Sequence, residues 1–140
     1  MALKASELTV GAIHEEIVVE DLKRTQIVMY AGASGDFNPV HTDEVFATQV
    51  AGYPTVFAHG MLTMGLTGKM LTNYVGDGRL TSYGLRFVSQ VWPGDTLTAR
   101  ATVVAIREQH GKLFADFAVT TVNQDGREVA SGAASARVDP

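Results

Sequence analysis

Hydrophobic residues follow a helical spacing in the first half of the chain and a strand spacing in the second half. Between residues 21 and 76 the apolar positions recur every three or four residues, and one polar loop interrupts them. From residue 79 onward apolar and polar residues alternate, which is typical of a β-strand with one buried face. Short turn sequences separate these strands, and this arrangement predicts an antiparallel meander.

The ends of the predicted elements lie at residues that favour turns or helix ends. Asn38-Pro39 predicts a loop after the first helix, because the residue before a proline avoids helical angles. Helices are expected to begin at Glu20-Asp21, where Leu22, Met29 and Ala33 repeat on one face, and at Thr42, which is expected to act as an N-cap. A longer helix is predicted over residues 61–75, and strands over residues 17–19, 80–91, 96–108, 112–123 and 127–138.

Residues 61–75 are apolar on nearly every side, which predicts a helix buried on most of its faces. Gly65 and Gly68 lie inside it and weaken a helix, so a sheet or ligand is expected to approach closely there. We therefore predict one α+β domain over residues 1–140, in which a curved antiparallel sheet of about five strands wraps around this helix.

Composition narrows the functional classes. The 140 residues include no cysteine, which excludes disulfides, thiolate nucleophiles and cysteine-ligated metals. The net charge of −4 provides no basic face for nucleic acid. No apolar run approaches the ~18–20 residues that span a bilayer, and the N-terminus does not resemble a signal peptide. We expect a cytoplasmic protein that binds neither nucleic acid nor membrane.

The candidate catalytic residues lie in the polar loop and at the start of the apolar helix. Asp36 and His41 lie on either side of the bend at Asn38-Pro39, so both side chains can face one volume and act in general acid–base catalysis. A purely structural explanation, an Asx turn and a helix start, remains open at this stage. His59-Gly60 opens the apolar helix, whose free N–H groups suit a developing negative charge, although Gly60 also suits a tight turn.

The remaining histidines and possible motifs give weaker evidence of function. His14 and His110 are expected to lie at the surface. Asp36, His41 and Asp43 form only a weak metal-ligand pattern, and no nucleotide-binding or serine-hydrolase motif is present.

Two segments resemble the signature motifs of the MaoC-like, or hydratase-2, family. Residues 30–43, YAGASGDFNPVHTD, resemble the first motif, and residues 58–62, AHGML, resemble the second, in the same order along the chain. The resemblance covers nearly the whole chain. It implies the hot-dog fold and a hydro-lyase that hydrates trans-2-enoyl thioesters or dehydrates (3R)-hydroxyacyl thioesters of fatty-acyl metabolism.

The resemblance also implies roles for individual residues. Asp36 and His41 would hold the reacting water, the Gly60 N–H would bind the thioester oxygen, and Asn38 and His59 would support them. No metal or redox cofactor is implied, since the acyl group travels on coenzyme A or acyl carrier protein in a tunnel beside the helix. The active unit would be a homodimer or a higher even oligomer.

The chain departs from the family at Gly68, where some members place a serine. Thr63 or Thr67 would replace that polar contact, or Gly68 would widen the tunnel. The run at residues 61–65 resembles the catalytic subunit of the actinobacterial fatty-acid-elongation dehydratase, which implies a heterodimer with a second hot-dog subunit. Two alternative functions are a hot-dog acyl-CoA thioesterase and a non-catalytic acyl-binding partner subunit.

Overall fold

Five antiparallel strands form a single sheet in the computed structural model, which describes residues 2–140. The spatial order of the strands is β1-β3-β4-β5-β2, so β1 and β2 are the two edges. The long strands β3, β4 and β5 are joined as a meander, as the alternation predicts. The strands are β1 (Ile13–Val19), β2 (Leu80–Phe87), β3 (Leu97–Gln109), β4 (Lys112–Val122) and β5 (Glu128–Val138).

The tight turn between β3 and β4 is made by His110 and Gly111, whose φ angles of 51° and 73° are both in the left-handed region. Such turns match the twist of the strands that they join. The predicted alternation on β3 holds up to Val103, where a β-bulge lies between Val103 and Ala105. Beyond this bulge Ile106, rather than Ala105, packs against the core.

The long helix α2 (Gly60–Val75) packs against a sheet surface made largely of small side chains. Met70, Leu71 and Val75 are completely buried there. Because alanine projects little above a sheet, the helix can lie close to the strands and exclude water from the interface. The sheet residues of this core are Ala99, Ala101, Val103, Ala115, Phe117, Val119, Ala134, Ala136 and Val138.

A second apolar cluster anchors the segment that precedes α2. The helix α1 (Arg24–Ser34) contributes Ile27, and α2 contributes Leu62 near its first turn. A 3₁₀ turn at Pro39–His41 and a π-helical turn at Phe46–Val50 follow α1. This overhanging segment therefore lies at the N-terminal end of α2, which agrees with the hot-dog architecture expected from the sequence. No helix among residues 2–140 is long and apolar enough to cross a membrane.

The predicted start and face of the first helix were wrong. Leu22 is held in irregular backbone, because its N–H donates to the Asp95 carbonyl and its carbonyl accepts from the Gly94 N–H. Asp21 therefore adopts a φ of 47°, and α1 begins only at Arg24. Ile27 and Ala31 form the buried face, whereas Met29 is 69% exposed.

Three other local expectations are corrected. The N-cap after the polar loop is Asp43 rather than Thr42, since the Asp43 carboxylate accepts from the Phe46 N–H at 3.1 Å. β2 ends at Phe87, because the N–H groups of Val88 and Ser89 both donate to the Val129 carbonyl. His14 lies within β1 and stacks on Tyr74 with ring centroids 4.0 Å apart, so it is half-buried.

The predicted burial of α2 on most sides is confirmed, and only one narrow stripe of the helix is exposed. Met61, Gly65, Lys69 and Asn73, spaced four residues apart, are exposed. The close approach expected at the glycines occurs at Gly68, where an added Cβ would lie 3.2 Å from the Tyr83 ring, and is absent at Gly65.

The contact between β2 and β5 makes a prediction about stability. A Cβ on Gly132 would lie 2.0 Å from the Gly84 carbonyl oxygen, whereas a Cβ on Gly84 would meet nothing within 4 Å. Gly132→Ala should therefore lower the free energy of unfolding by about 1–3 kcal/mol or more, because backbone must move to admit the methyl group. Urea unfolding of both variants checks this, with Gly84→Ala as the matched control; equal stabilities would contradict the prediction.

Candidate active site

The loop after α1 folds back on itself through side-chain hydrogen bonds to its own backbone. α1 ends at Gly35, whose φ of 75° allows the chain to turn. The Asp36 carboxylate accepts from the Asn38 N–H, and the Asn38 side chain accepts from the Val40 N–H, each at 3.2 Å. Asn38 thereby caps the short turn at Pro39–His41. These bonds make the bend that was predicted to face Asp36 towards His41.

The structure brings Asp36 and His41 together. Asp36 Oδ2 lies 4.0 Å from His41 Nε2, with the Asp36 side chain 53% exposed and the whole of His41 only 8% exposed. His41 Nδ1 donates to the Phe57 carbonyl at 2.6 Å. Because a carbonyl can only accept, this bond assigns the proton of the neutral ring to Nδ1 and leaves Nε2 as a bare acceptor facing the carboxylate.

The gap between these two acceptors suits one water molecule. A water that donates both hydrogens through ordinary hydrogen bonds joins acceptors about 4–4.5 Å apart. The 4.0 Å separation of Asp36 Oδ2 and His41 Nε2 falls in that range. Such a water would direct its lone pairs away from the two side chains, so the arrangement can present a nucleophilic oxygen to a substrate.

The surroundings of His41 lower the pKa of its imidazole below the ordinary value of 6.5. Burial is the largest cause, since it disfavours the charged ring, and His59 acts in the same direction. The hydrogen bond to the Phe57 carbonyl and the charge of Asp36 both raise the pKa and partly offset these effects. A neutral His41 is therefore ready to accept a proton at neutral pH.

His59 lies directly behind this pair. It is 2% exposed, and its ring stacks on the His41 ring with centroids 3.8 Å apart. Its Nε2 donates to the Asp36 backbone carbonyl at 3.0 Å, while its Nδ1 is buried without a hydrogen-bond partner.

Gly60 is the first residue of α2, with His59 as its N-cap. The His59 side chain makes no capping bond, and no backbone hydrogen bond among residues 2–140 uses the Gly60 N–H. This N–H is thus one of the unpaired donors of a helix N-terminus. It adjoins an open cleft of about 270 Å³ that is lined by Phe57, Gly60, Phe87, Val88, Ser89 and Gln90.

Two aromatic residues complete this corner. A Cβ on Gly60 would lie 2.6 Å from the Phe87 ring, so Phe87 covers the helix start. Phe57 joins the cleft to the acid–base pair, since its ring packs edge-on against His41 with centroids 5.1 Å apart. Sequence reasoning missed both residues, because a backbone carbonyl acceptor and a covering ring leave no motif.

Neither Thr67 nor Gly68 is placed to supply the polar contact that some family members obtain from a serine. Thr67 is fully buried and hydrogen-bonded to Thr121 at 2.6 Å. The space beside Gly68 is filled by the Tyr83 ring, whose hydroxyl donates to the Met64 carbonyl at 2.8 Å. Burial raises the pKa of this tyrosine well above its usual range. Gly68 therefore accommodates Tyr83, and the widened tunnel expected there is not observed.

Asp36, His41 and His59 each place a potential metal-ligand atom within 4.8 Å of the others. The two imidazole rings stack with an angle of 27° between their planes, and His41 Nδ1 and His59 Nε2 each already donate to a backbone carbonyl. Asp43 is used as a helix cap. These contacts leave His41 Nε2, His59 Nδ1 and the Asp36 carboxylate as the atoms that a metal could use.

A five-stranded antiparallel sheet around one helix is the hot-dog arrangement, and Asp36 and His41 beside the helix N-terminus fit a hydro-lyase of that fold. The chain belongs to the family described as the MaoC-like domain, a dehydratase family whose model matches residues 7–124. The fold, the family and the hydro-lyase class expected from the sequence are confirmed.

Relatives of known activity agree with this assignment. An (R)-specific enoyl-CoA hydratase from Rhodospirillum rubrum is 34% identical over 123 residues, which cover 86% of this chain and 83% of that protein. The 3-hydroxyacyl-thioester dehydratase Y of Mycobacterium tuberculosis is 40% identical over 98 residues, 68% of this chain. The chain spans only 32% of the length of that dehydratase.

Solved structures agree as well. The unliganded R-hydratase PhaJ1 from Pseudomonas aeruginosa superimposes with a TM-score of 0.84 at 27% identity, covering 99% of this chain and 86% of PhaJ1. The HadBC (3R)-hydroxyacyl-ACP dehydratase complex of Mycobacterium tuberculosis matches at 22% identity with a TM-score of 0.69, covering 91% of this chain and 96% of that one. This second likeness concerns the fold, so the resemblance to an actinobacterial catalytic subunit stays a prediction.

Proposed function

We propose that this chain catalyses the reversible (R)-specific hydration of trans-2-enoyl thioesters, and equally the dehydration of (3R)-hydroxyacyl thioesters. The observation that carries the proposal is the 4.0 Å approach of Asp36 Oδ2 and His41 Nε2 in a loop held next to the α2 N-terminus. Family membership and the named relatives support it.

In the proposed reaction Asp36 and His41 hold one water between them. One of the two accepts a proton from that water as its oxygen bonds to the β-carbon. The electron pair of the double bond shifts towards the carbonyl, so negative charge builds on the thioester oxygen, where the Gly60 N–H donates to it. The proton is then delivered to the α-carbon, and this restores the site. Dehydration follows the same steps in reverse.

The acyl group is carried on coenzyme A or acyl carrier protein, and either carrier is part of the substrate. The reaction requires no metal or redox cofactor, since the proton transfers use only Asp36 and His41. A cytoplasmic location remains part of the proposal.

A thioesterase would use the same cleft to release a free thiol. Crotonyl-CoA distinguishes the two activities, because hydration removes the enoyl absorbance and leaves the thioester intact. We expect loss of enoyl absorbance with no release of free thiol. Thiol release without hydration would support the thioesterase, and binding without either change would support the non-catalytic acyl-binding subunit.

Asp36→Asn and His41→Ala should each lower kcat by about 10²–10⁴-fold, the usual contribution of general acid–base catalysis. The double variant should be hardly slower than either single variant, because both side chains act on one water. Rates with crotonyl-CoA measure this, and Asp77→Asn, at an exposed position beyond α2, is the control. A folded single variant that keeps more than about a tenth of wild-type kcat would refute the role of that residue.

Gly60→Pro removes the proposed oxyanion donor at a helix position where proline is tolerated, although its Cβ meets the Phe87 ring as that of alanine does. Combined with Phe87→Ala to relieve that contact, it should fold and lose about 10²–10³-fold in kcat. Gly60→Ala keeps the donor but forces the Phe87 ring to move, so its main defect should be weaker thioester binding. Adding Phe87→Ala should restore binding to Gly60→Ala and should not restore kcat to Gly60→Pro. Near-normal kcat in folded Gly60→Pro would place the oxyanion donor elsewhere.

The edge of the sheet next to the cleft supports an active unit of at least two hot-dog subunits. β2 is an edge strand, which leaves backbone groups available for pairing with another chain. Met61, Phe87 and Val88 beside it are 55%, 46% and 47% exposed. A second copy of this chain, or a second hot-dog subunit, would cover these apolar side chains.

Sedimentation at micromolar concentration should show a dimer or a higher even oligomer. Val88→Asp should shift it towards monomer, because it would bury a charge beside the paired edge. Val104→Asp is the matched control, since Val104 is 51% exposed on β3, which is not an edge strand. A strictly monomeric protein that still turns over crotonyl-CoA would contradict the prediction.

A further inference from the structure

We propose that His59 is a positioning residue that holds the Asp36 loop and the His41 ring in register for the proton transfers. This inference rests on the proposed hydratase function and extends it. His59 itself does not touch the reacting water in this assignment. It acts through the two residues that do.

The first contact is with the backbone of Asp36. His59 Nε2 donates to the Asp36 carbonyl at 3.0 Å, which ties the start of α2 to the loop. The remaining hydrogen bonds around Asp36 are local, namely those to Ser34 and Asn38, and the Asp36 side chain is 53% exposed. His59 is therefore the long-range anchor that sets the position of this exposed carboxylate relative to α2.

The second contact is with the ring of His41. The two imidazoles stack at 3.8 Å, while Phe57 packs edge-on against His41 and Tyr30 of α1 packs edge-on against His59 at 4.9 Å. Four rings from α1, the loop, the segment before α2 and the start of α2 thus contact one another in sequence, one pair stacked and two pairs edge-on. Rotation of the His41 side chain would break the hydrogen bond to the Phe57 carbonyl or the contact with the His59 ring.

The third feature is the unused nitrogen of His59. Its bond to a carbonyl assigns the proton to Nε2, so Nδ1 is a bare acceptor with no partner in the interior. A buried polar atom without a partner costs stability and is typically retained for another reason. Phenylalanine has a ring without a donor, and glutamine or asparagine has a donor without a ring, whereas histidine combines a donor with a stacking surface in a side chain smaller than tyrosine or tryptophan.

The electrostatic coupling follows from the same contact. The titratable groups that face His41 are Asp36 from the loop and His59 from the start of α2, and Tyr30 of α1 faces the far side of His59. Positive charge on His59 disfavours positive charge on His41, whereas Asp36 favours it. Replacing His59 by an uncharged residue should therefore raise the pKa of His41.

Two variants separate the two contacts. His59→Gln keeps an amide donor for the Asp36 carbonyl and loses the ring, whereas His59→Phe keeps a ring and loses the donor. His14→Gln is the matched control, because His14 also stacks on an aromatic ring and lies in β1, outside the site. For each protein we would measure kcat and KM with crotonyl-CoA, the pH profile of kcat/KM, and the His41 titration by NMR.

Both His59 variants should lose about 10- to 100-fold in kcat, the scale of a small misplacement of catalytic groups, with KM barely changed. Their His41 titration, and the acid limb of the pH profile, should move to higher pH. His14→Gln should change none of these quantities. Normal kcat, an unmoved His41 titration, or a loss confined to KM in a folded His59 variant would overturn the proposal.

If the His59 variants do not fold, a measurement on the wild-type protein still tests the proposal. In the wild-type protein the His59 Nε2 proton, which is bonded to the Asp36 carbonyl, should exchange slowly with solvent by NMR, and a rapidly exchanging proton there would overturn the anchor. Wild-type protein that does not hydrate crotonyl-CoA would refute the proposed function instead. The stability of the variants and their His41 titrations would still report whether His59 holds the pair.

Discussion

The close packing of α2 against small side chains is the interaction on which the rest of the structure depends. Ala99, Ala101, Ala115, Ala134 and Ala136 are all buried beneath it, and bulky residues at these positions would push the helix outward. Because the helix lies deep in the sheet, its axis and its N-terminus have little freedom to move. Every group proposed to act in catalysis is placed with reference to that N-terminus.

The N-terminal end of α2 is where the interior becomes polar. A second apolar cluster, which joins Ile27 of α1 to Leu62 of α2, brings the overhanging segment over the helix start. The polar loop can pack there because its backbone groups are satisfied locally by Asp36 and Asn38. The histidines are buried at this boundary, and each uses one ring nitrogen to donate to a backbone carbonyl.

His41 and Asp36 lie in different environments at this boundary. His41 is buried, which lowers the pKa of its ring and leaves it neutral and able to accept a proton. Asp36 is half-exposed, which keeps its carboxylate close to solvent and to an incoming water. The partial positive charge of the helix N-terminus lies beside both and suits the negative charge of a developing enolate. The proposed acid–base pair and the proposed oxyanion donor therefore share one small region.

The sequence by itself determined the architecture and the residues of the proposed site. Period-two alternation and short turns predicted four of the five strands closely, because a strand with one buried face must alternate. Asn38-Pro39 predicted the bend, because proline restricts the residue before it. The two motifs identified Asp36, His41, His59 and Gly60. These are local constraints, and local constraints can be read along a chain.

Only the tertiary structure decided how these residues meet. The start of α1 at Arg24 and its buried face depend on backbone bonds between Leu22 and the turn before β3. The tautomer of His41 depends on the Phe57 carbonyl, and the partner of His59 is a carbonyl 23 residues away. Tyr83 beside Gly68 and Phe87 over Gly60 belong to β2, which packs against α2 only after folding. Contacts between distant segments leave no periodicity or spacing in the sequence, and for that reason only the folded chain reveals them.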